Sequence, residues 1–366
     1  MQDLDAIISA SKPGDTIQLQ DGIYTTAGSD AYPSPSGAVI LAGITLVGSG
    51  RSRTLIKLRH PGDQKQRVAI YGVGDNITIR DLSVDCGPLP SAGWQFKNCG
   101  IVLTGSNATV SNCDVVRAFG LIASDNEGFG IKLSGADASV GNCHLSWMLG
   151  DYVTAIAMGG LDPAIQFCNV ILPQRPAVIT PGYFMTGLNL AGVTGGLVRF
   201  NSVHGGVNGI YTDTGDVVGT TFDSNVLNGQ SFGIHMNGQS VAGVAQRTIG
   251  SLVFSANQII TDQSWNDYAS VILDNTCNPY SPTGVANNVR IQNLVFRGNI
   301  ARSVDGAPLT FLNMATQAAA GSTTAGIGNI SFEGNDVPAS ATWRNMNNAA
   351  TGVSVTVPAA IKWLTS

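Results

Sequence analysis

Apolar residues recur along this chain in short bursts, never in the long runs of a buried or membrane-crossing helix. One pattern repeats. An apolar residue is followed by two variable positions, then Cys or Asn, then a second apolar residue two positions on. It reads Val110-Ser-Asn-Cys113-Asp-Val115, Val140-Gly-Asn-Cys143-His-Leu145, Ile165-Gln-Phe-Cys168-Asn-Val170 and Val198-Arg-Phe-Asn201-Ser-Val203. It continues as Phe222-Asp-Ser-Asn225, Phe254-Ser-Ala-Asn257, Phe296-Arg-Gly-Asn299 and Phe332-Glu-Gly-Asn335. An earlier copy, Ile79-Arg-Asp-Leu82-Ser-Val84, carries Leu in the Cys/Asn slot. Successive copies are 24 to 42 residues apart.

Each copy has a second apolar burst: Gly100-Ile-Val-Leu103, Gly130-Ile-Lys-Leu133, Ala155-Ile-Ala-Met158, Gly187-Leu-Asn-Leu190, Gly209-Ile-Tyr-Thr212, Gly233-Ile-His-Met236 and Ser270-Val-Ile-Leu273. Their length, period-2 alternation and Gly/Asn punctuation predict β-strands. No copy buries its own apolar face, whereas stacked copies bury a continuous column. Like then lies over like. Cys113, Cys143 and Cys168 form a thiol ladder, continued by an asparagine ladder at Asn201, Asn225, Asn257, Asn299 and Asn335. Phe222, Phe254, Phe296 and Phe332 form an aromatic one. Asn ladders exchange side-chain amide bonds between layers, and Asn tolerates a left-handed bend at a turn.

On these residues the chain resembles the right-handed parallel β-helix of the pectin lyase-like superfamily. The opening Pro13-Gly-Asp-Thr-Ile-Gln-Leu-Gln-Asp-Gly-Ile-Tyr24 is similar to that family's first rung. So is Ile44-Thr-Leu-Val-Gly-Ser-Gly50, followed by Thr54-Leu-Ile56. The fold class expected is all-β: a single-stranded right-handed parallel β-helix of about ten rungs with a short N-terminal capping helix over residues 4–10. Residues 1–366 read as one domain, with cap and first rung at 1–30. Past residue 340 the repeat fades, and 340–366 reads as a C-terminal cap.

Composition narrows the function. With 43% hydrophobic and 12% charged residues the chain is not disordered. A net charge of −5 with 19 Lys+Arg argues against a nucleic-acid partner. No apolar stretch approaches the length of a membrane-crossing helix. Six cysteines lack zinc-site spacing, so a structural metal is not expected. The ladder thiols read as buried packing groups, while Cys86 and Cys99 flank a loop across which they could pair. The sequons at Asn76, Asn107 and Asn329 suit turns, which explains them without glycosylation. The opening residues lack a signal peptide; the expected location is secreted or periplasmic, with any leader removed.

The alternation of the second strand turns Ile, Leu and Met inward and the residues between them outward, in two columns. The first reads Val102, Lys132, Ala157, Asn189, Tyr211, His235, Ile272, and the next Thr104, Ser134, Gly159, Ala191, Asp213, Asn237, Asp274. With coils about 4.8 Å apart, Tyr211, His235, Asp213 and Asn237 form a polar square on a solvent-facing sheet. Asn189 lies one coil before it, Asp274 one coil after, and Lys132 three coils before Tyr211. Insertions at residues 85–99, 172–186, 239–250 and 275–289 would wall a groove, the shape that suits a polymer. Tyr183, Phe184, Trp265, Tyr268 and Tyr280 lie in or near them, with Trp265 and Tyr268 as sugar-stacking candidates.

Three readings follow. The resemblance implies a carbohydrate-active enzyme, first a polysaccharide lyase. Elimination on a uronate needs a base at C5, an acid for the leaving oxygen and a neutraliser for the carboxylate. Tyr211 and His235, with Asn189 or Asn237, resemble the toolkit of lyases that use Tyr, His and an amide. Lys132 is a further substrate contact. Asp213 and Asp274 would repel a polyanion unless a cation such as Ca²⁺ bridges them. The second reading is a glycoside hydrolase or glycosyl-transferring enzyme in which those two carboxyls act as the pair. Their spacing of about 9–10 Å is near the upper end of the inverting range. Asp216, Asp125 and Glu127 are alternatives there. The third is a glycan-binding tailspike- or adhesin-like β-helix without turnover, monomeric or homotrimeric. Catalytic strings of the pectate lyases, polygalacturonases and alginate epimerases are missing from the chain; His204-Gly205-Gly206 is only a near miss to one, and Tyr211-Thr-Asp213 at best a fragment of another. The partner in all three readings is a polysaccharide.

Overall fold

The structure is a computed structural model. It describes residues 1–28, 39–59, 66–87, 97–121, 127–173, 184–212, 215–237, 247–262, 269–275, 289–304, 306, 308–316, 326–346, 350–356 and 362–365. The chain divides into two compact units, Met1–Leu188 and Asn189–Ser366.

In the first unit each coil contributes three strands, and like strands pair in parallel from coil to coil. Thr78–Arg80, Thr109–Ser111, Ser139–Gly141 and Ala164–Gln166 form one column, with Ile79, Val110, Val140 and Ile165 in register. Ser83–Asp85, Asp114–Val116, His144–Ser146 and Asn169–Ile171 form the second. The longer strands Arg67–Val73, Asn98–Thr104, Gly128–Ser134 and Tyr152–Leu161 form the third. Inward residues such as Ile101, Ile131 and Ile156 are fully buried. A short helix, Leu4–Ser9, precedes the first coil; Asp3 accepts the N–H groups of Asp5 and Ala6 at its N-terminus, and Leu4 and Ile8 turn inward.

One corner of this unit admits only glycine. Gly105, Gly135 and Gly160 take φ of +146°, +151° and +107°. A Cβ on Gly135 would lie 2.1 Å from the Gly105 carbonyl oxygen. Each coil there rests directly on the backbone of the one before.

The repeat motif resolves into two strands rather than one. Between Val110 and Val115 the chain turns at Asn112, at φ 51°. The equivalent positions Asn142, Phe167, Phe200, Ser224 and Ala256 are also left-handed. The bend therefore falls one residue before the Cys/Asn slot, not on it as the sequence suggested. The corner residue swings the chain, and the slot residue then points into the corner of the core.

The slot side chains stack as expected. In the second unit Asn201, Asn225, Asn257, Asn299 and Asn335 form a single buried file. Each Nδ2 donates to the next Oδ1 at 2.9–3.0 Å. The rings of Phe222, Phe254, Phe296 and Phe332 lie above one another, centroids 4.6 to 5.0 Å apart and within 11° of parallel. In the first unit Cys113, Cys143 and Cys168 are free and buried, and each thiol donates to the carbonyl two residues earlier at 3.3–3.4 Å. The neighbouring thiol and burial hold Cys113 and Cys168 well above the ordinary thiol range. Cys86 and Cys99 are also free and buried, so the structure does not contain the bridge considered from their loop. Cys277 lies outside the described residues.

The tail does not fade. Thr342–Met346, Ala350–Thr356 and Lys362–Thr365 continue the parallel pairing, with Val353 and Val355 in register with Ile330 and Phe332. Period-2 apolar spacing persists there although the slot residue is lost.

Candidate active site

The long strands of the second unit position the candidate groups. In Asn208–Thr212 and Phe232–Asn237, Ile210 pairs with Ile234 and Tyr211 with His235. The apolar partners face the core, so Tyr211 and His235 share the outer face on adjacent coils. Their rings meet edge to face, centroids 5.0 Å apart at 84°. Phe232 also packs against the imidazole, ring centroids 5.3 Å apart and tilted by 58°.

Two amides hold this pair. His235 Nδ1 lies 3.0 Å from the side-chain oxygen of Asn208. Asn237 Nδ2 donates to the Tyr211 hydroxyl, and the Asn237 backbone N–H donates to Thr212 Oγ1 at 3.1 Å. Asn208 is fully buried and Asn237 nearly so. Asn208 was missed from sequence, because the predicted strand began at Gly209 and nothing in the spacing marks the residue before it.

The outer face is not the solvated sheet expected. Tyr211 is 5% exposed, and Asn189 and Asn237 are 3% exposed; His235 is the partly exposed member of the group, although its Nε2 is buried. The first unit shows the same on its outward column. Tyr71, Val102 and Ala157 are in register around Lys132, and with Val68, Cys99 and Phe129 they form a buried apolar cluster. Alternation fixes which way a side chain points, but covering of that side by the rest of the chain is not written in the period.

Lys132 sits over the Phe129 ring, its ammonium 4.2 Å from the centroid. This cation–π contact keeps a charge at the margin of that apolar cluster. Asp216 accepts the Thr248 N–H at 2.6 Å, a bond between neighbouring coils. Glu127 accepts from Thr154 Oγ1 at 2.5 Å. Asp274 pairs with Asn237 through the backbone, but its side chain lies outside the described part. So do Asp213, Asp125, Trp265, Tyr268, Tyr183 and Tyr280. Phe184 packs edge-on against Tyr152 at 5.7 Å. Among the described residues no group of three or more His, Cys, Asp or Glu side chains is placed to hold a metal ion. No sequence signal marks Arg247, the largest fully buried side chain among the described residues, whose Nε donates to the Gly215 carbonyl at 2.5 Å.

The geometry and the comparisons define the class at the level of fold. No family model matches the chain, and no curated protein matches it in sequence. Solved structures do. A tailspike mutant of E. coli bacteriophage HK620 in complex with a pentasaccharide matches with a TM-score of 0.61 at 14% identity, over 96% of this chain and 58% of that one. The Dettilon tailspike protein matches with a TM-score of 0.56 at 14% identity, over 96% and 63%. The alginate lyase AlyF-OU02 in complex with G6 matches with a TM-score of 0.53 at 12% identity, over 96% and 80%. The chain thus spans less than two thirds of either tailspike. It has the right-handed parallel β-helix fold that its repeats resemble.

Proposed function

We propose that this protein is a carbohydrate-active β-helix enzyme, and that it cleaves a uronate-containing polysaccharide by β-elimination at Tyr211 and His235. The observation that carries this reading is the edge-to-face contact of the two rings on one outer face. Proton removal from C5 and proton delivery to the C4 leaving oxygen then come from the same side of the sugar. His235 takes the C5 proton, the electron pair forms the C4–C5 double bond, the C4–O bond breaks, and the Tyr211 hydroxyl protonates the departing oxygen. The alginate lyase and the tailspike–pentasaccharide complex among the structural matches support a glycan as ligand. An extracellular location agrees with such a substrate.

Glycan binding without turnover is the second reading, favoured by the burial of Tyr211 and Asn237. The hydrolase reading rests on Asp213 and Asp274, with Ca²⁺ as the cation that would bridge them toward a polyanion. One assay separates the three. The protein is incubated with acidic and neutral glycans, and ultraviolet absorbance and reducing ends are followed together. New unsaturation supports elimination, reducing ends alone support hydrolysis, and binding with neither supports the non-catalytic reading.

A further inference from the structure

We propose that Asn208 and Asn237 are positioning residues that set the direction of proton traffic through the Tyr211–His235 pair. The inference rests on the reading of that pair as the reacting groups. Its starting point is the identity of the bonded atoms. A side-chain carbonyl oxygen only accepts, so the 3.0 Å contact between Asn208 Oδ1 and His235 Nδ1 requires the imidazole to donate from Nδ1. In the neutral ring the second nitrogen, Nε2, is then the one with the lone pair. Asn208 is fully buried on the neighbouring coil, and its strand is registered to that of His235 through four residue pairs.

The second amide works in the opposite sense. Asn237 donates from Nδ2 to the Tyr211 oxygen. That bond occupies a lone pair of the phenol and leaves the phenol's own proton unspent on it. The same bond stabilises the phenolate once that proton has gone. One amide takes a proton from the base at the atom not used for chemistry, and the other gives a proton to the acid's oxygen. The two amides together favour one direction, with His235 accepting at Nε2, a buried atom that the covering side chains must uncover for substrate, and Tyr211 donating from its hydroxyl. Both clamps are amides, so neither adds a charge beside the imidazole. A carboxylate in place of Asn208 would fix the same tautomer but also stabilise the imidazolium.

The test uses ¹⁵N NMR of the full chain, with the His235 signal assigned by its loss in His235→Gln. In the wild type at alkaline pH the Nδ1 shift should be that of a protonated nitrogen and the Nε2 shift that of a bare one. In Asn208→Leu the two tautomers should mix, and kcat should fall roughly 100-fold, within the range a positioned general base contributes. Asn208→Asp should keep the Nδ1–H tautomer but raise the imidazole titration midpoint by about one pH unit, moving the acid limb of kcat/KM with it. Wild-type protonation at Nε2, or an imidazole midpoint unmoved by Asn208→Asp, overturns the proposal. If the Asn208 variants do not fold, Asn237→Leu serves instead. It should raise the Tyr211 phenol titration followed by ultraviolet absorbance, and an unchanged titration overturns the proposal. The spectroscopic results need no substrate, so they stand apart from any failure to find a cleaved glycan.

Discussion

The side-chain oxygen of Asn257 accepts two hydrogen bonds from Asn225, from its backbone N–H at 3.0 Å and from its Nδ2 at 2.9 Å. The Asn257 amide in turn donates to the Phe222 carbonyl at 3.0 Å and to Asn299 Oδ1 at 2.9 Å. Both lone pairs and both protons of a fully buried amide are thus satisfied. Asn257→Ala removes all four bonds and leaves two buried donors of Asn225 unpaired. Each such group costs about 1–3 kcal/mol, so the loss should be roughly 3 kcal/mol or more. The same truncation in the first unit, Cys143→Ala, gives up a weak S–H bond and little volume, and should cost about 1 kcal/mol. Urea midpoints of the two variants check the contrast; equal losses would mean that the amide file adds nothing beyond packing.

Phe254 has a stacked ring on each side, Phe222 at 4.6 Å and Phe296 at 4.7 Å. Phe254→Ala opens a cavity between two rings held by their own coils, which cannot close over it. The expected cost is about 3–5 kcal/mol. Phe332, at the far end, is sealed edge-on by Phe311 and Trp343. Phe332→Ala should therefore also shift the fluorescence of buried Trp343 to longer wavelength, whereas Phe222→Ala should not. Emission spectra of the two folded variants decide it.

How much of this was readable in sequence depends on how local each feature is. The files of Asn201, Asn225 and Asn257 were legible, because one residue per coil at a fixed offset from an apolar neighbour is a pattern in the chain itself. The bend just before them was not: Asn112, Phe167, Ser224 and Ala256 all take left-handed backbone there, at a small cost that coil stacking offsets. The contact of Tyr211 with His235 followed from counting along two aligned strands. Asn208 did not, since its backbone partner is Phe232 and its side chain reaches diagonally to His235. The burial of Tyr211 was also invisible, because it depends on what packs over the sheet rather than on the sheet's own period.

The buried thiols Cys86 and Cys99 give the fold a pH dependence of definite sign. Burial holds the Cys86 thiol well above the usual value and raises that of Cys99, whereas Cys113 and Cys168 are raised through contact with Cys143, which the same hydrogen bonds hold well below it. A folded-state value above the unfolded one means that the contribution is complete below the unfolded thiol pKa, about 8.5. It is lost as pH rises from there toward the folded value, because the unfolded chain releases protons that the native state keeps. Stability should fall above about pH 8.5 by up to about 1.4 kcal/mol per pH unit for each such thiol. Denaturation midpoints between neutral and alkaline pH should show a shallower decline in Cys86→Ala and Cys99→Ala, and an unchanged slope would contradict the assignment.

Tyr211 and His235 differ in what their removal should do. His235→Ala deletes the base and should lower kcat by about 100-fold or more with little change in KM, since the partly exposed imidazole acts on a proton and not on substrate affinity. Tyr211→Phe keeps the buried ring and its packing against His235 but removes the hydroxyl and leaves Asn237 Nδ2 without that acceptor. Activity should fall to a similar extent, and the loss should shrink on glycans whose leaving group departs without protonation. Steady-state rates on a matched pair of substrates, one with a sugar alcohol and one with a good leaving group, measure this. Full activity in His235→Ala would remove elimination at this pair from consideration. A Tyr211→Phe defect of equal size on both substrates would show that Tyr211 serves the fold and not the leaving oxygen.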